Sequence, residues 1–140
     1  MFKKILGTMG IRTKAPTLPA DENATTDRQL KTIDITDADF DQLILAGDRP
    51  AVVDFWADWC EPCHTMSAFV EFLATDYADK LVVAALDVEE NPQIPERYNV
   101  MGLPTLIFFA NGKEVDRQVG ITPYDDLKQK VEQLLHDHTN

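Results

Sequence analysis

Residues 51–64 read AVVDFWADWCEPCH, and this stretch decides the fold. Its first six residues are nearly all apolar and β-forming, which predicts a strand that is buried on both faces. The chain's only two cysteines, Cys60 and Cys63, follow within the same stretch. Because the strand-forming residues end near Trp56, Cys60 falls at the start of the helix that comes next. A strand, a short turn and a helix that begins at a Cys-x-x-Cys motif predict a thiol site.

The position of Cys60 at a helix N-terminus predicts that it is the more nucleophilic sulfur. The unpaired N–H groups there carry roughly half a positive charge, which favours a thiolate over a thiol. Cys63 lies one helical turn further in, on the same side, close enough to form an intramolecular disulfide. Pro62 suits the first turn, because its φ is already helical and it has no N–H to satisfy. We therefore expect Cys60 to attack and Cys63 to resolve.

Three other interpretations of the cysteines stay open. Cys60-x-x-Cys63-His64 also matches the c-type haem attachment pattern, although a buried strand that ends in two tryptophans leaves no obvious haem pocket. A zinc site needs four ligands, and the remaining candidates, His136 and His138, fall in a predicted frayed C-terminus. In the third interpretation the cysteines are structural, as small buried groups or an inert disulfide. We expect no metal and no cofactor beyond the redox-active disulfide.

Length and composition narrow the class of protein. The chain has 140 residues, 44% of them hydrophobic, which suits one domain with a single core. A net charge of −11 argues against nucleic acid and anionic membranes as the main partners. No segment approaches the roughly 18 apolar residues that span a bilayer. Two cysteines confined to one motif suit a reducing compartment, so we expect a cytoplasmic protein, and we expect it to be a monomer.

Charge is distributed unevenly between the first 20 residues and the rest. The first 20 residues include no acidic residue and four basic ones, which are Lys3, Lys4, Arg12 and Lys14. A polar stretch that contains proline follows at residues 15–27. We expect residues 1–28 to form a basic, flexible extension and residues 29–140 the folded domain. An organelle-targeting leader, or a basic segment that docks on a membrane or a partner, is the alternative for residues 1–20.

Strand and helix patterns alternate along the folded domain. Strands are predicted at residues 30–35, 51–56, 81–88, 106–109 and 113–119. Helices are predicted from residues 36–39 to Gly47, and over residues 61–77, 92–98 and 123–136. The apolar faces of the first and last helices are expected to point inward, through Phe40, Leu43 and Ile44 and through Leu127, Val131, Leu134 and Leu135.

The hairpin signal Asn111-Gly112 makes the last two predicted strands antiparallel. A βαβ half is therefore followed by a ββα half. This order predicts an α/β fold with a mixed central β-sheet flanked by helices on both faces.

The chain resembles the thioredoxin family in motifs that occur in the family's order and spacing over roughly residues 30–137. The motifs are VDFWADWCEPC at residues 53–63, Asn91-Pro92, GLPT at residues 102–105, Asn111-Gly112 and Val119-Gly120. The resemblance implies a thioredoxin fold and an enzyme that reduces protein disulfides. It also implies electron transport and cell redox homeostasis, with electrons supplied by a thioredoxin-reductase-like donor. The alternatives are a binding or chaperone module without efficient turnover, and a disulfide isomerase or oxidase.

The resemblance also implies roles for residues around the dithiol. Cys60 looks like the attacking thiolate and Cys63 the resolver. Pro104 resembles the cis-proline that faces the dithiol and offers backbone hydrogen bonds to a docked substrate strand. Substrate contacts are expected from Trp56, Trp59, Glu61, Pro62, Gly102, Leu103, Thr105 and Gly120. For Trp56, a role in the core is an equal alternative.

Asp54 lies in the middle of the predicted buried strand. A carboxylate is costly there and its pKa rises, so it can accept the proton of Cys63. In the family a lysine commonly lies near this acid on the next strand, and the alignment of residues 81–87 puts Ala85 at that position. We expect Asp54 to titrate unusually high and resolution to be slow at neutral pH.

Two further positions depart from the family pattern. Glu61 stands where the motif usually has glycine, and its charge opposes thiolate formation at Cys60. His64 stands where the family often has lysine, so positive charge near the thiols depends on pH.

Overall fold

The computed structural model describes residues 32–138. The predicted extension, residues 1–28, lies outside the described residues, as does the start of the predicted first strand, and both stay predictions. The described elements are β1 (Ile33–Asp34), α1 (Asp41–Leu45), β2 (Ala51–Trp56), α2 (Glu61–Asp76), β3 (Val82–Asp87), α3 (Gln93–Arg97), β4 (Thr105–Ala110), β5 (Lys113–Val119) and α4 (Tyr124–His138).

The five strands form one mixed sheet in the order β1-β3-β2-β4-β5. Strands β1 and β2 pair with β3 in parallel, whereas β4 pairs antiparallel with β2 and with β5. The predicted α/β fold, with its parallel half and its antiparallel hairpin, is confirmed. Strand β2 lies at the centre, and β1 and β5 are the outer strands of the sheet within the described residues.

Two hydrophobic cores lie on opposite faces of the sheet, because alternate residues of a strand point to opposite faces. Val52 and Phe108 pack with α2 and α4 in one core. Val53 and Ile107 pack with α1 and α3 in the other. Helices therefore cover both faces, as predicted, and the five residues from Ala51 to Phe55 are all buried.

The first helix differs from its prediction. Thr36 and Asp39 bond each other's backbone N–H groups, and only a single wide turn, Asp41–Leu45, follows. The Ala46 N–H donates to the Asp41 carbonyl, five residues back. In so wide a turn Phe40 and Ile44 share a face and are buried, whereas Leu43 is turned outward and stays 42% exposed. The expectation that Leu43 points inward is wrong.

The last helix is longer than predicted. Helix α4 continues to His138, so the expected fraying at His136 is wrong. Its four predicted core residues are all buried, Leu127, Val131, Leu134 and Leu135. None of the described helices has the length and apolar character needed to cross a membrane.

Candidate active site

The two cysteines lie at the start of α2, just after the short loop that follows β2. Cys60 is the N-cap of α2, with an extended backbone at φ −92° and ψ 105°. Its sulfur accepts a hydrogen bond from the Cys63 N–H at 3.3 Å. Pro62 lies in the first turn, where it interrupts no helical hydrogen bond. The sequence prediction of a helix that begins at the motif is confirmed.

The cysteines form the intramolecular disulfide expected from their spacing, with Cα atoms 5.3 Å apart. Cys60 keeps 4% of its surface exposed and Cys63 keeps none. Both pack with Ala57, and Trp56 and Leu103 cover this small cluster. An incoming group can therefore reach Cys60, while Cys63 is shielded by the fold.

The loop before β4 lies beside the disulfide. The Leu103–Pro104 peptide bond is cis, as the resemblance implies. The Pro104 carbonyl accepts a hydrogen bond from the Gly120 N–H at 2.8 Å, and the Thr105 hydroxyl donates to the Gly102 carbonyl at 2.6 Å. These bonds fix the loop, and Leu103 connects it to the cysteine cluster.

The predicted substrate-contact residues differ in exposure, and four of them are half-buried, Trp56, Gly102, Leu103 and Gly120. Trp59 is 68% exposed, and its indole N–H donates to a Glu89 carboxylate oxygen at 2.9 Å. Glu61 and Pro62 are also exposed, whereas Thr105 is buried. Gly102 and Gly120 face open space, and Gly120 needs a glycine backbone at φ +85°. Trp59 is therefore exposed, and no heavy atom lies within 4 Å of where a Cβ would stand at Gly102 or Gly120. The substrate contacts themselves stay a prediction.

Asp54 is buried in the middle of β2, with 1% of its surface exposed. Burial raises the pKa of its carboxyl to about 7, although the hydrogen bond from Ser67 opposes the rise. The Ser67 hydroxyl donates to Oδ2 at 3.1 Å, and Oδ1 has no partner within the described chain. Asp54 therefore changes charge near neutral pH, as its buried position predicts.

Ser67 is a residue of this site that the sequence analysis missed. It follows Cys63 by four positions, so it lies one turn along the same face of α2. Its hydrogen bond to Asp54 ties that carboxyl to the helix that carries the dithiol. The spacing from Cys63 is the signal that would have found it.

Ala85 is the direct neighbour of Asp54 on β3, as the alignment in the sequence predicts. Its small side chain borders a cleft of about 320 Å³ that reaches down to Asp54. His64 lies at the same cleft, and its Nε2 is 2.9 Å from the Asp58 carbonyl. Between residues 32 and 138, no group of three or more His, Cys, Asp or Glu side chains is arranged to hold a metal ion.

The similarity to known proteins covers most of the described domain. A family model for thioredoxin matches residues 31–133. The thioredoxin of Alicyclobacillus acidocaldarius is 42% identical over 104 residues, which cover 74% of this chain and 98% of that protein. A thioredoxin of Staphylococcus aureus is 43% identical over 103 residues, which cover 74% of this chain and 97% of its own. With this similarity, the mixed sheet and the Cys60–Cys63 disulfide, the chain belongs to the thioredoxin family and is a dithiol–disulfide oxidoreductase.

Proposed function

We propose that this protein works in the reducing direction and transfers electrons from Cys60 and Cys63 to the disulfides of other proteins. The reducing direction is taken from the relatives named thioredoxin. The observation that carries the proposed chemistry, with Cys60 as the attacking group, is the position of the Cys60 sulfur as the cap of α2. It accepts the Cys63 N–H and faces the positive end of a 16-residue helix. In the reduced protein the same contacts favour the thiolate, which is the form that attacks a disulfide.

The first step is attack by the Cys60 thiolate on one sulfur of the substrate disulfide. The substrate S–S bond breaks, a mixed disulfide with Cys60 forms, and the other substrate sulfur leaves as a thiolate that takes up a proton. Cys63 then loses its proton and attacks the Cys60 sulfur. The mixed disulfide breaks, and the second substrate thiolate is released and protonated. Two electrons have passed to the substrate, and the protein holds its disulfide.

Asp54 is our candidate for the group that accepts the proton of Cys63. Cys63 is fully buried, so its proton needs an acceptor inside the protein. Ser67 connects Asp54 to the helical turn after Cys63. With a pKa of about 7, Asp54 is half ionised at neutral pH and can take a proton and return it within one cycle.

The substrate would dock across the exposed face beside Cys60. The loop that holds the cis-proline, Pro104, supplies backbone groups, and the uncovered glycines leave space for an extended chain. Trp59 supplies a large exposed ring next to the nucleophile. The full set of proposed contacts is Trp56, Trp59, Glu61, Pro62, Gly102, Leu103, Thr105 and Gly120.

The cellular setting is proposed by analogy with the family. Its members named thioredoxin suggest an electron donor of the thioredoxin-reductase type and a role in electron transport and redox homeostasis in the cytoplasm. We propose a monomer that uses the disulfide alone, without a bound cofactor. The strongly acidic surface is consistent with partners other than nucleic acid.

Reduction of insulin by dithiothreitol, followed by the turbidity of the released chains, tests the proposal. We expect the wild-type protein to accelerate it and Cys60→Ser to abolish the acceleration. Reduced Cys63→Ser, incubated with insulin in the absence of dithiothreitol, should instead form a mixed disulfide that added dithiothreitol then reduces. Acceleration that survives in Cys60→Ser would contradict the assignment of the nucleophile. If the wild-type protein does not accelerate the reduction of insulin, a binding module would be favoured.

A further inference from the structure

The cleft next to Asp54 has an unusual charge. It opens beside the first turns of α2 and is lined by ten residues, four of them acidic. Each acid comes from a different part of the fold: Asp34 from β1, Asp54 from β2, Asp58 from the loop before α2 and Glu71 from α2. Among residues 32–138 no lysine or arginine lines the cleft, and His64 is the one basic residue type in that lining. Such a site concentrates cations from solution.

The floor of the cleft holds unsatisfied polar atoms. In residues 32–138 two buried side-chain polar atoms have no hydrogen-bond partner, Asp54 Oδ1 and Thr32 Oγ1. Both residues line this cleft. A buried carboxylate oxygen without a donor is costly, so its place at the floor of an open cleft indicates that a donor enters from outside.

The remaining surroundings of Asp54 do not supply that donor. On β3 its neighbour is Ala85, and on β4 its neighbour is Leu106. Ser67 already serves the other oxygen, Oδ2. The lining carboxylates are not grouped to coordinate a metal ion. A single organic cation with N–H donors fits the position better than a metal does.

We propose that this cleft binds the lysine or arginine side chain of a disulfide substrate. The inference rests on the proposed function and adds a specificity to it, namely a preference for disulfides that have a basic residue close by. Trp56 lines the cleft and also packs against the cluster of the two cysteines, so the cleft lies next to the dithiol. A basic side chain close to the substrate disulfide would therefore have the cleft within reach.

The bound cation would also act on the reaction itself. A positive charge beside Asp54 favours its ionised form, which is the form that accepts the proton of Cys63. A basic substrate would therefore bind at the cleft and promote resolution of its own mixed disulfide. A neutral substrate would receive neither effect.

Reduction of two matched peptides tests the specificity. They contain the same disulfide and the same sequence, with lysine in one and glutamine in the other beside the disulfide. We expect kcat/KM to be about fivefold higher for the lysine peptide, the size expected for an ion pair at a half-exposed site. The rates of both peptides with dithiothreitol alone correct for their intrinsic reactivity.

Two substitutions of Ala85 separate the cleft from general attraction to an acidic protein. Ala85→Met fills the cleft without changing net charge, and Ala85→Lys supplies a cation from within. Both should lower the preference to about onefold, with the glutamine peptide still reduced. A preference that is unchanged in Ala85→Met, or absent in the wild type, would overturn the proposal. Failure to reduce either peptide would count against the proposed function instead.

A binding measurement decides the cleft independently of turnover. The pKa of the Asp54 carboxyl can be measured in the reduced protein from its ¹³C resonance. We expect n-propylammonium to lower this pKa. Neither n-propanol at the same concentration nor sodium chloride at the same ionic strength should do so. Ala85→Met should remove the response. An equal shift with sodium chloride, or no shift, would overturn the proposal. In the sequence Lys31 precedes Thr32, a residue that lines the cleft, so Lys31→Gln is the control for a cation from this chain. A rise in the pKa of Asp54 in Lys31→Gln without any ligand would also overturn the proposal, since the cation would then belong to this chain.

Discussion

At the scale of single residues, burial changes the acid–base chemistry of Asp54. It combines a buried carboxyl, one hydroxyl donor and a pKa of about 7. If it is the proton acceptor for Cys63, release of the second substrate thiol should speed up as pH rises through about 7 and then level off. Asp54→Asn should be at least about tenfold slower and should lose this pH dependence. Single-turnover release of thiol from a preformed mixed disulfide measures both, and an unchanged profile would contradict the role.

The same residue predicts a dependence of stability on pH. The carboxyl has a folded pKa of about 7 against an ordinary value of 3.8, so the folded state holds the proton more tightly. Stability from this group is therefore full below pH 3.8 and is lost as pH rises towards 7. Asp54→Asn should be more stable than the wild type at alkaline pH, by up to about 4 kcal/mol, with little difference at acidic pH. Urea unfolding of the reduced proteins at both pH values would reveal it.

At the scale of elements, the first turn of α2 sets the reactivity of Cys60. Glu61 is the first residue of this helix, where its charge stabilises the helix by about 0.3–1 kcal/mol but opposes a thiolate at the neighbouring cap. Glu61→Gln should raise the rate at which iodoacetamide alkylates Cys60 near pH 6. Glu96→Gln, an exposed acid on α3, is the matched control. Equal rates in all three proteins would show that the Glu61 charge does not affect the reactivity of this sulfur.

The N-terminus of α3 is held from a distant part of the chain. The Asp37 carboxylate accepts the N–H groups of Gln93 at 3.0 Å and Ile94 at 2.9 Å, and the Asp37 N–H donates to Asn91 at 2.9 Å. Asp37→Ala should destabilise the protein by about 1–2 kcal/mol, because two helix-end donors lose their acceptor. Asp37→Asn keeps an acceptor oxygen and should cost less. Equal losses in urea unfolding would mean that the charge, not the bond, matters.

At the scale of the whole molecule, sequence patterns predicted the strands, helices and strand pairings that are determined by residues close together in the sequence. β2 was predictable because it is apolar on both faces, and the start of α2 because proline and a capping residue mark it. The position of Ala85 beside Asp54 was also predictable, since a strand register follows from one aligned position. Leu43 was placed wrongly because the turn around it is wider than an α-helix.

The features that the sequence did not predict are contacts between distant segments. The cap at Asp37 joins residues 56 and 57 positions apart, and the bond from Ser67 to Asp54 crosses from helix to strand. The acidic cleft needs four elements to come together before it exists. Local periodicity contains no information about contacts between segments that are far apart in sequence. The chemistry of Cys60 was therefore predictable, whereas the surroundings of Asp54 were predictable only in part.

The outer strand β5 affects how readily the protein aggregates at high protein concentration. The strand lies at an edge of the sheet within the described residues, and four of its seven residues are charged, Lys113, Glu114, Asp116 and Arg117. Charges along an edge strand deter the pairing of one sheet with another. If the protein binds extended segments of other chains beside its disulfide, as proposed, it must avoid binding them along its outer strands. We expect the charges of β5 to oppose aggregation and to confine such binding to the face that holds the disulfide.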